Sequence, residues 1–306
     1  MPALIAGSLN MDLVLNVDRF PEPGETISAA GLNFFPGGKG ANQSVAIGRL
    51  GGEVKMIGRV GEDDHGRELL ATLERDHVDT SRISALPGIS TGMAFIAIDE
   101  HGQNQIIINA GANGALSPQD LEIDFDALRD GMTHYLTQLE IPLESVIKGL
   151  QLARSAGLIT ILNPAPARYA TEIREVLKLV DILVLNETET KRIGGSFPET
   201  IDEALLAAQH LRELGPRSVV ITLGPRGCVL VDDEHKLHIP APEVEVVDTT
   251  AAGDAHIGAF CARLMQGDSV PECLAYANEA GAFTVTRNGA QPSLPTVDDL
   301  AISNVI

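Results

Sequence analysis

Short apolar runs recur along this chain, and helix-length segments fall between them. Residues 3–7, 54–58, 135–139, 158–162, 182–185 and 219–223 are mostly Leu, Ile, Val and Met and read as buried strands. Segments 41–50, 66–75, 144–155, 171–177 and 203–214 carry helical patterning in the intervals. Strands that are apolar on both faces need cover on both faces, and strands alternating with helices pair in parallel. The expected class is therefore α/β, a doubly wound, mostly parallel sheet flanked by helices. Ligands in such sheets sit beyond the carboxyl ends of the strands.

Some segments break the alternation. Residues 11–17 and 26–35 are β-like with no helix between them, and 92–98 and 105–109 flank the hairpin signal Asp99-Glu100-His101-Gly102. Together they predict a small inserted antiparallel β lid formed by about 11–35 and 92–109. Residues 271–287 read as a helix stopping at Asn288-Gly289. No Gly-, Ser- or Pro-rich linker interrupts the chain, so residues 1–306 are expected to form one folded unit.

The formal net charge of −20 excludes the basic footprint that nucleic-acid binding requires, and no apolar stretch is long enough to span a membrane. Cys228, Cys261 and Cys273 form no CxxC or metal-ligand pattern, and the N-terminus lacks a signal-peptide pattern. A cytoplasmic protein with reduced thiols is expected.

Two segments about two hundred residues apart point to chemistry. Asp248-Thr249-Thr250-Ala251-Ala252-Gly253-Asp254 precedes an amphipathic stretch with Ile257, Phe260 and Leu264 on one face. A small-residue turn at a helix start presents free N–H groups to an anion, and Asp254 adds a carboxylate that can accept a proton. This predicts phosphoryl transfer; the plainer alternative is an acidic first turn stabilising the helix dipole. Gly37-Gly38-Lys39-Gly40-Ala41-Asn42 fits neither a P-loop nor GxGxxG. Its glycines allow close backbone approach, and Asn42 can donate to and accept from hydroxyls. Asn10 and Asp12 alternate along an extended segment and can face one ligand together. Glu140 ends an apolar run. Asn186 and Glu189 have the spacing of a capping box, and equally suit Mg²⁺ held through water. Thr222 to Gly227 form a Gly-rich turn after a strand, suited to a nucleotide or simply to a turn.

Further segments extend the pattern: Gly7-Ser8-Leu9-Asn10-Met11-Asp12, Pro23-Gly24-Glu25-Thr26, Ala110-Gly111-Ala112-Asn113, Gln138-Leu139-Glu140, Asn163-Pro164-Ala165-Pro166-Ala167 and Gly289-Ala290-Gln291-Pro292-Ser293. In this order, over nearly the whole chain, they resemble the ribokinase-like (PfkB-type) carbohydrate kinases. The resemblance implies Asp254 as general base, with Ala251, Ala252 and Gly253 forming an anion hole. It implies Asn10, Asp12, Gly38, Lys39, Gly40, Asn42 and Glu140 as sugar ligands. ATP contacts would come from Asn186, Thr222, Leu223, Gly224, Gly227 and Asn278, with Mg²⁺ near Asn186 and Glu189. An activating monovalent cation, usually K⁺, would lie near Asp248, Thr250, Thr284, Arg287, Gly289 and Ser293, partly through carbonyls. Exposed lid edges invite pairing into a homodimer.

The chain departs from the family pattern after the base. Ribokinases usually carry Thr-Phe-Asn where this sequence has Ala255, His256 and Ile257. Related deoxyribose kinases tend towards Ala and Ile at the outer two positions. The expected reaction is ATP-dependent phosphorylation of the 5-hydroxyl of D-ribose. The alternatives are 2-deoxyribose, a nucleoside or another furanose, and outside enzymes a sugar sensor on the same fold. The substituted triplet is expected either to let the chain tolerate a 2-deoxy sugar better than a typical ribokinase or only to repack the helix.

Overall fold

The protein, seen here as a computed structural model, is described over residues 1–303. The chain order is β1 (Ala3–Ala6), β2 (Asn10–Asn16), β3 (Gly31–Gly37), α1 (Lys39–Arg49), β4 (Val54–Gly61), α2 (Asp64–Arg75) and β5 (Val78–Leu86). Then come β6 (Gly92–Ile98), β7 (Asn104–Asn109), α3 (Pro118–Leu128), β8 (His134–Thr137), α4 (Leu143–Ser155), β9 (Ile159–Leu162) and α5 (Ala170–Val176). The chain continues with β10 (Ile182–Asn186), α6 (Glu187–Gly194), α7 (Ile201–Glu213), β11 (Ser218–Thr222), β12 (Cys228–Val231) and β13 (Lys236–Ile239). It closes with α8 (Ala252–Gln266), α9 (Val270–Thr284) and α10 (Val297–Ser303).

A nine-stranded sheet runs in the order β13-β12-β11-β10-β9-β8-β1-β4-β5. It is parallel from β11 to β5, while β12 and β13 add an antiparallel hairpin at one edge. Alternate residues of the inner strands enter opposite cores. Ile5, Leu136, Val184 and Val220 pack with helices α1, α8 and α9. Leu4, Tyr135, Leu183 and Val219 pack with α3, α4 and α7 on the other face. This explains why those strands read as continuous apolar runs. From β1 the chain builds outwards one way through β4 and β5, then returns to build β8 to β11 the other way. The order reverses between β1 and β8, where a crevice opens at the strand ends.

A second, four-stranded sheet has the order β3-β2-β6-β7. Its outer pairs β2–β3 and β6–β7 are antiparallel, and they join through a parallel β2–β6 pair. Residues 26–30, expected as strand, are irregular, and β3 begins at Gly31. Within 26–30, Ser28, Ala29 and Ala30 are exposed, so little burial favours extending the strand.

Helices α1 and α8 approach unusually closely. A Cβ on Gly258 would lie 2.3 Å from the Ala46 Cβ and 3.1 Å from the Gln43 carbonyl oxygen. Gly258 is one turn beyond Asp254, and Ala46 one turn beyond Asn42 and Gln43, so this contact sets how the N-terminal ends of the two helices meet. Gly258→Ala should force the helices apart and cost roughly 1–3 kcal/mol. Adding Ala46→Gly should recover part of that loss, less the ~1 kcal/mol that glycine costs within a helix. Urea unfolding of the single and double variants checks this; additive losses would show that the contact is not the cause.

Candidate active site

The two glycine-punctuated segments meet at the crevice. At the start of α1, each glycine answers a separate steric demand. Gly38 has φ 89°, and a Cβ there would lie 2.7 Å from the Asn10 nitrogen. On Gly40 it would strike the Gly7–Ser8 backbone at 2.6–2.7 Å, and on Gly37 the Asp12 carboxylate at 2.2 Å. The α1 N-terminus is thus pressed against the loop after β1. There the Ser8 hydroxyl donates to a Glu140 oxygen at 2.6 Å, and the Lys39 backbone N–H reaches the same oxygen at 3.2 Å. The Asn113 carboxamide binds both Leu9 backbone groups at 2.9 Å and donates to Asn10 Oδ1 at 2.8 Å. Asn10 is therefore held in one orientation.

Asp254 lies in the first turn of α8, buried, with its carboxylate gripped by α1. Asn42 Nδ2 donates to one oxygen at 3.0 Å and Gln43 Nε2 to the other at 2.8 Å. Gln138 Nε2 donates to Gln43 Oε1 at 2.6 Å, and Asn163 Oδ1 accepts from Gln43 Nε2 at 3.3 Å. Asn163 is tied in turn to the Val184 carbonyl at 3.0 Å. This chain of buried amides links the ends of β8, β9 and β10 to Asp254. Sequence reasoning gave no role to Ser8, Gln43, Asn113, Gln138 or Asn163; the only signal was their place beside the glycine-rich and strand-end motifs.

Ala251 caps α8 in the left-handed region, with φ 61° and ψ 6°. This turns the chain so that the Gly253 and Asp254 N–H groups find no acceptor among the described residues, while the Ala252 N–H makes only a long 3.3 Å bond to the Thr249 carbonyl. Gly253 and Asp254 border a cleft of ≈200 Å³ lined also by Lys39, Asn186, Glu189, Thr222, Ala251 and Ile257, while Ala252 borders the pocket beside it. Thr222 and Gly253 border as well a neighbouring pocket of ≈430 Å³. Gly224, Gly227, His256, Asn278 and the apolar side chains of Val244, Val246 and Val285 line that pocket. The turn after β11 is shaped by Gly227, φ 84°, where a Cβ would meet the Ile239 carbonyl at 2.1 Å. Leu223 is buried and contributes its backbone, its N–H bonding the Gly227 carbonyl at 2.7 Å. Asn278 Nδ2 donates to the Ile239 and Pro240 carbonyls at 3.0 and 3.1 Å.

The remaining expected residues divide among other places. Asp12, Asp248, Thr250 and Gly289 line a cavity of ≈350 Å³, and Asn10 and Glu140 line another of ≈460 Å³. Asp248 ties its loop together. One of its oxygens accepts from the Thr250 N–H at 2.9 Å and hydroxyl at 2.7 Å, the other from the Gly289 N–H at 2.8 Å. The side chains of Thr284, Arg287 and Ser293 are engaged elsewhere. The hydroxyls bond the Ala280 and Ala290 carbonyls at 2.9 and 2.7 Å, and the guanidinium lies 3.5 Å over Phe283. Asn186 and Glu189 form a reciprocal capping box, each bond 2.9 Å, so one Glu189 oxygen is committed to the Asn186 N–H. Among the described residues no three His, Cys, Asp or Glu side chains cluster as a metal site. Of the substituted triplet, Ala255 is in the core, Ile257 borders the cleft and His256 borders the larger pocket.

The electrostatics are strained by design of the packing. Burial, then Glu140 and Asp254, push the Asp12 carboxyl up to about 7 against the pull of Lys39. Burial opposes the Lys39 ammonium, but Asp254, Glu140, Glu189 and Asp12 together hold its pKa above the ordinary lysine value. Burial raises Glu189 above the usual carboxylate range, with the Asn186 N–H and Lys39 working the other way. One cation thus serves several carboxylates, an arrangement able to accept a proton and hold a transferring anion.

Residues 3–297 match the pfkB family of carbohydrate kinases, and the chain belongs to that family. It is similar to a ribokinase of Staphylococcus aureus, 36% identical over 299 residues that cover 97% of each chain. It is similar also to a deoxyribokinase of Salmonella typhimurium, 34% identical over 298 residues, again 97% of each. Among solved structures, Arabidopsis thaliana ribokinase complexed with ribose and ATP aligns with a TM-score of 0.87 at 33% identity, covering 98% of this chain and 97% of that one. No helix among the described residues is long and apolar enough to cross a membrane.

The raised Asp12 carboxyl has a measurable consequence. Its folded pKa of about 7 exceeds the ordinary 3.8, so the penalty for burying its charge is full above pH 7 and fades as pH falls towards 4. Asp12→Asn should therefore stabilise the ligand-free protein at pH 8, by roughly 4 kcal/mol at most, and by clearly less at pH 5. Urea unfolding at the two pH values tests this; an equal gain at both would sink it.

Proposed function

We propose that this protein transfers the γ-phosphoryl group of ATP to the 5-hydroxyl of D-ribose. The observation that carries the reading is Asp254: a buried carboxylate, fixed by Asn42 and Gln43, beside open backbone amides and on the wall of the cleft that adjoins the larger pocket. The sugar lies against Asn10, Asp12, Asn42 and Glu140, with Gly38, Lys39 and Gly40 framing it. The nucleotide occupies the larger pocket, near Thr222, Gly224, Gly227 and Asn278, with its phosphates entering the cleft beside Asn186.

In the reaction, Asp254 takes the proton from the sugar hydroxyl as the oxygen attacks the γ-phosphorus, and the bond from phosphorus to the ADP oxygen breaks. The Ala251, Ala252 and Gly253 N–H groups, with the Asp254 N–H and Lys39 beside them, hold the charge on the moving phosphoryl group. Positioning and electrostatics supply most of such catalysis. Mg²⁺, arriving with the nucleotide, would offset phosphate charge, and the uncommitted Glu189 oxygen suits one of its waters. For the monovalent cation, the carboxylate of Asp248 fits as a loop tie with a lone pair left on the oxygen that binds the Gly289 N–H, and Thr250, Thr284, Arg287, Gly289 and Ser293 would serve through carbonyls.

The second sheet acts as a lid over the sugar, since Asp12 lies on β2 and its cavity is walled by Val14, Ile96 and Ile98. Leu32, Phe34, Ile106 and Ile107 leave its outer strands apolar and exposed, which favours a homodimer formed through the lid. For the sugar, 2-deoxyribose is the second reading, supported by the Salmonella relative being nearly as similar as the Staphylococcus one. Asp12 and Asn42 favour a sugar with vicinal hydroxyls.

ATP turnover across ribose, 2-deoxyribose and nucleosides tests the reading. Ribose should give the highest kcat/KM, and Asp254→Asn should lower kcat by about 10²–10⁴ with every acceptor. Near-normal turnover in the folded variant would remove Asp254 from the mechanism.

Replacing K⁺ by tetramethylammonium should reduce turnover, and adding K⁺ back should restore it, because a cation at the Asp248 loop would fix the turn that presents the amides. Equal rates in the two salts at one ionic strength would exclude a monovalent-cation site.

A further inference from the structure

His256 is placed as no packing residue needs to be. It follows Asp254 by two positions in α8, is only 5% exposed, and borders the ≈430 Å³ pocket, yet neither ring nitrogen has a hydrogen-bond partner. A buried ring nitrogen without a partner is destabilising, so such a group calls for one. Burial drives its pKa down to about 4, with the neighbouring Asn278 pulling the other way. The ring is therefore neutral at pH 7 and offers one donor and one acceptor.

Asn278 decides which is which. Its amide nitrogen is spent on the Ile239 and Pro240 carbonyls, which leaves only its carboxamide oxygen, an acceptor. Asn278 pulls the His256 pKa upward, as an acceptor facing the imidazole N–H does, and an N–H turned to that oxygen leaves the other ring nitrogen as a bare acceptor. Its ligand partner must be a donor. Among the purines, the six-position of adenine carries an amino donor, whereas guanine and hypoxanthine present a carbonyl acceptor there.

Resting on the nucleotide reading of this pocket, we propose that His256, oriented by Asn278, is a specificity-determining residue that accepts a hydrogen bond from the exocyclic amino group of adenine in the phosphoryl donor. Both nitrogens are covered in the ligand-free protein, so the ring turns about its Cα–Cβ bond as the base enters. The departure at position 256 thereby bears on the donor rather than on the sugar.

The test compares ATP with inosine triphosphate, which differs at the six-position by a carbonyl for the amino group, in wild type and His256→Phe. Wild type should favour ATP by about tenfold in KM, the worth of one hydrogen bond. His256→Phe should bring the ratio close to one, through a rise in the KM for ATP that inosine triphosphate does not share. His256→Asn, which keeps an acceptor, should restore part of the preference. Calorimetry with ADP separates the causes of failure. If wild type binds no ADP, the nucleotide reading falls and this proposal with it. If ADP binds and His256→Phe leaves the ATP-to-inosine triphosphate ratio unchanged, the proposal alone is overturned. Imidazole nitrogen NMR provides a second readout: a wild-type His256 signal that ADP does not move would mean a packed or water-satisfied ring and would overturn it as well.

Discussion

The contact of Gly258 with Ala46 governs the rest of the site. Helices α1 and α8 come from distant parts of the sequence, and each carries half of what a phosphoryl transfer needs. Only where they touch without intervening side chains can Asn42 and Gln43 reach the Asp254 carboxylate at 3.0 and 2.8 Å. Packed helices more commonly stand 8–10 Å apart, the separation being set by the side chains at the contact. Here a glycine on one helix and an alanine on the other remove that spacer. The carboxylate is fixed from a neighbouring helix, which frees the first turn of its own helix to present amides to a ligand.

That arrangement concentrates negative charge. Asp12, Glu140, Glu189 and Asp254 all act on Lys39, and Asp12 is held partly protonated near neutral pH. A ligand-free site of this kind is electrostatically frustrated. On the proposed reading, a polyol donating hydroxyls to Asp12 would favour the charged carboxylate, and a nucleotide triphosphate with its metal would alter the balance around Lys39 and Glu189. Binding energy would then be coupled to relief of repulsion, and the stability that the site withholds from the free protein would return when ligands arrive.

Much of the main sheet was legible because its inner strands are buried on both faces, and continuous apolar runs at β1, β8, β9, β10 and β11 have few other uses. β5 was missed because, as an edge strand, it carries Asp79, Ser81 and Arg82, which dilute the pattern. β12 and β13 were missed because short hairpin strands leave little periodicity to read. In the site, glycines and small residues flagged the two helix starts, since few sequences need them there. Gln43, Gln138 and Asn163 gave no such signal: an amide looks the same in sequence whether it is solvated or part of a buried relay. The roles expected of Thr284, Arg287 and Ser293 came from resemblance alone, and their side chains engage neighbouring groups of their own segments. The lid residues 26–30 look extended in sequence, but a strand forms only where a partner strand is available, and β2 is paired from Gly31 onward.

The turn before α8 shows why Asp254 and the amides belong to one device. Ala251 adopts φ 61°, a conformation that costs a residue with a Cβ roughly 1–2 kcal/mol. Glycine would adopt it more readily, but would also leave the turn looser. Such a conformation persists where surrounding structure over-determines it, and here the constraints are visible on both sides. Upstream, Asp248 binds Thr250 and Gly289; downstream, α1 holds Asp254. Pinned at both ends, residues 249–253 have little freedom except to turn their amides outwards. The preorganisation that electrostatic catalysis requires can therefore be supplied by groups that need not touch a ligand, and the Asp248 loop acts on the same amides as the α1 side chains that hold Asp254.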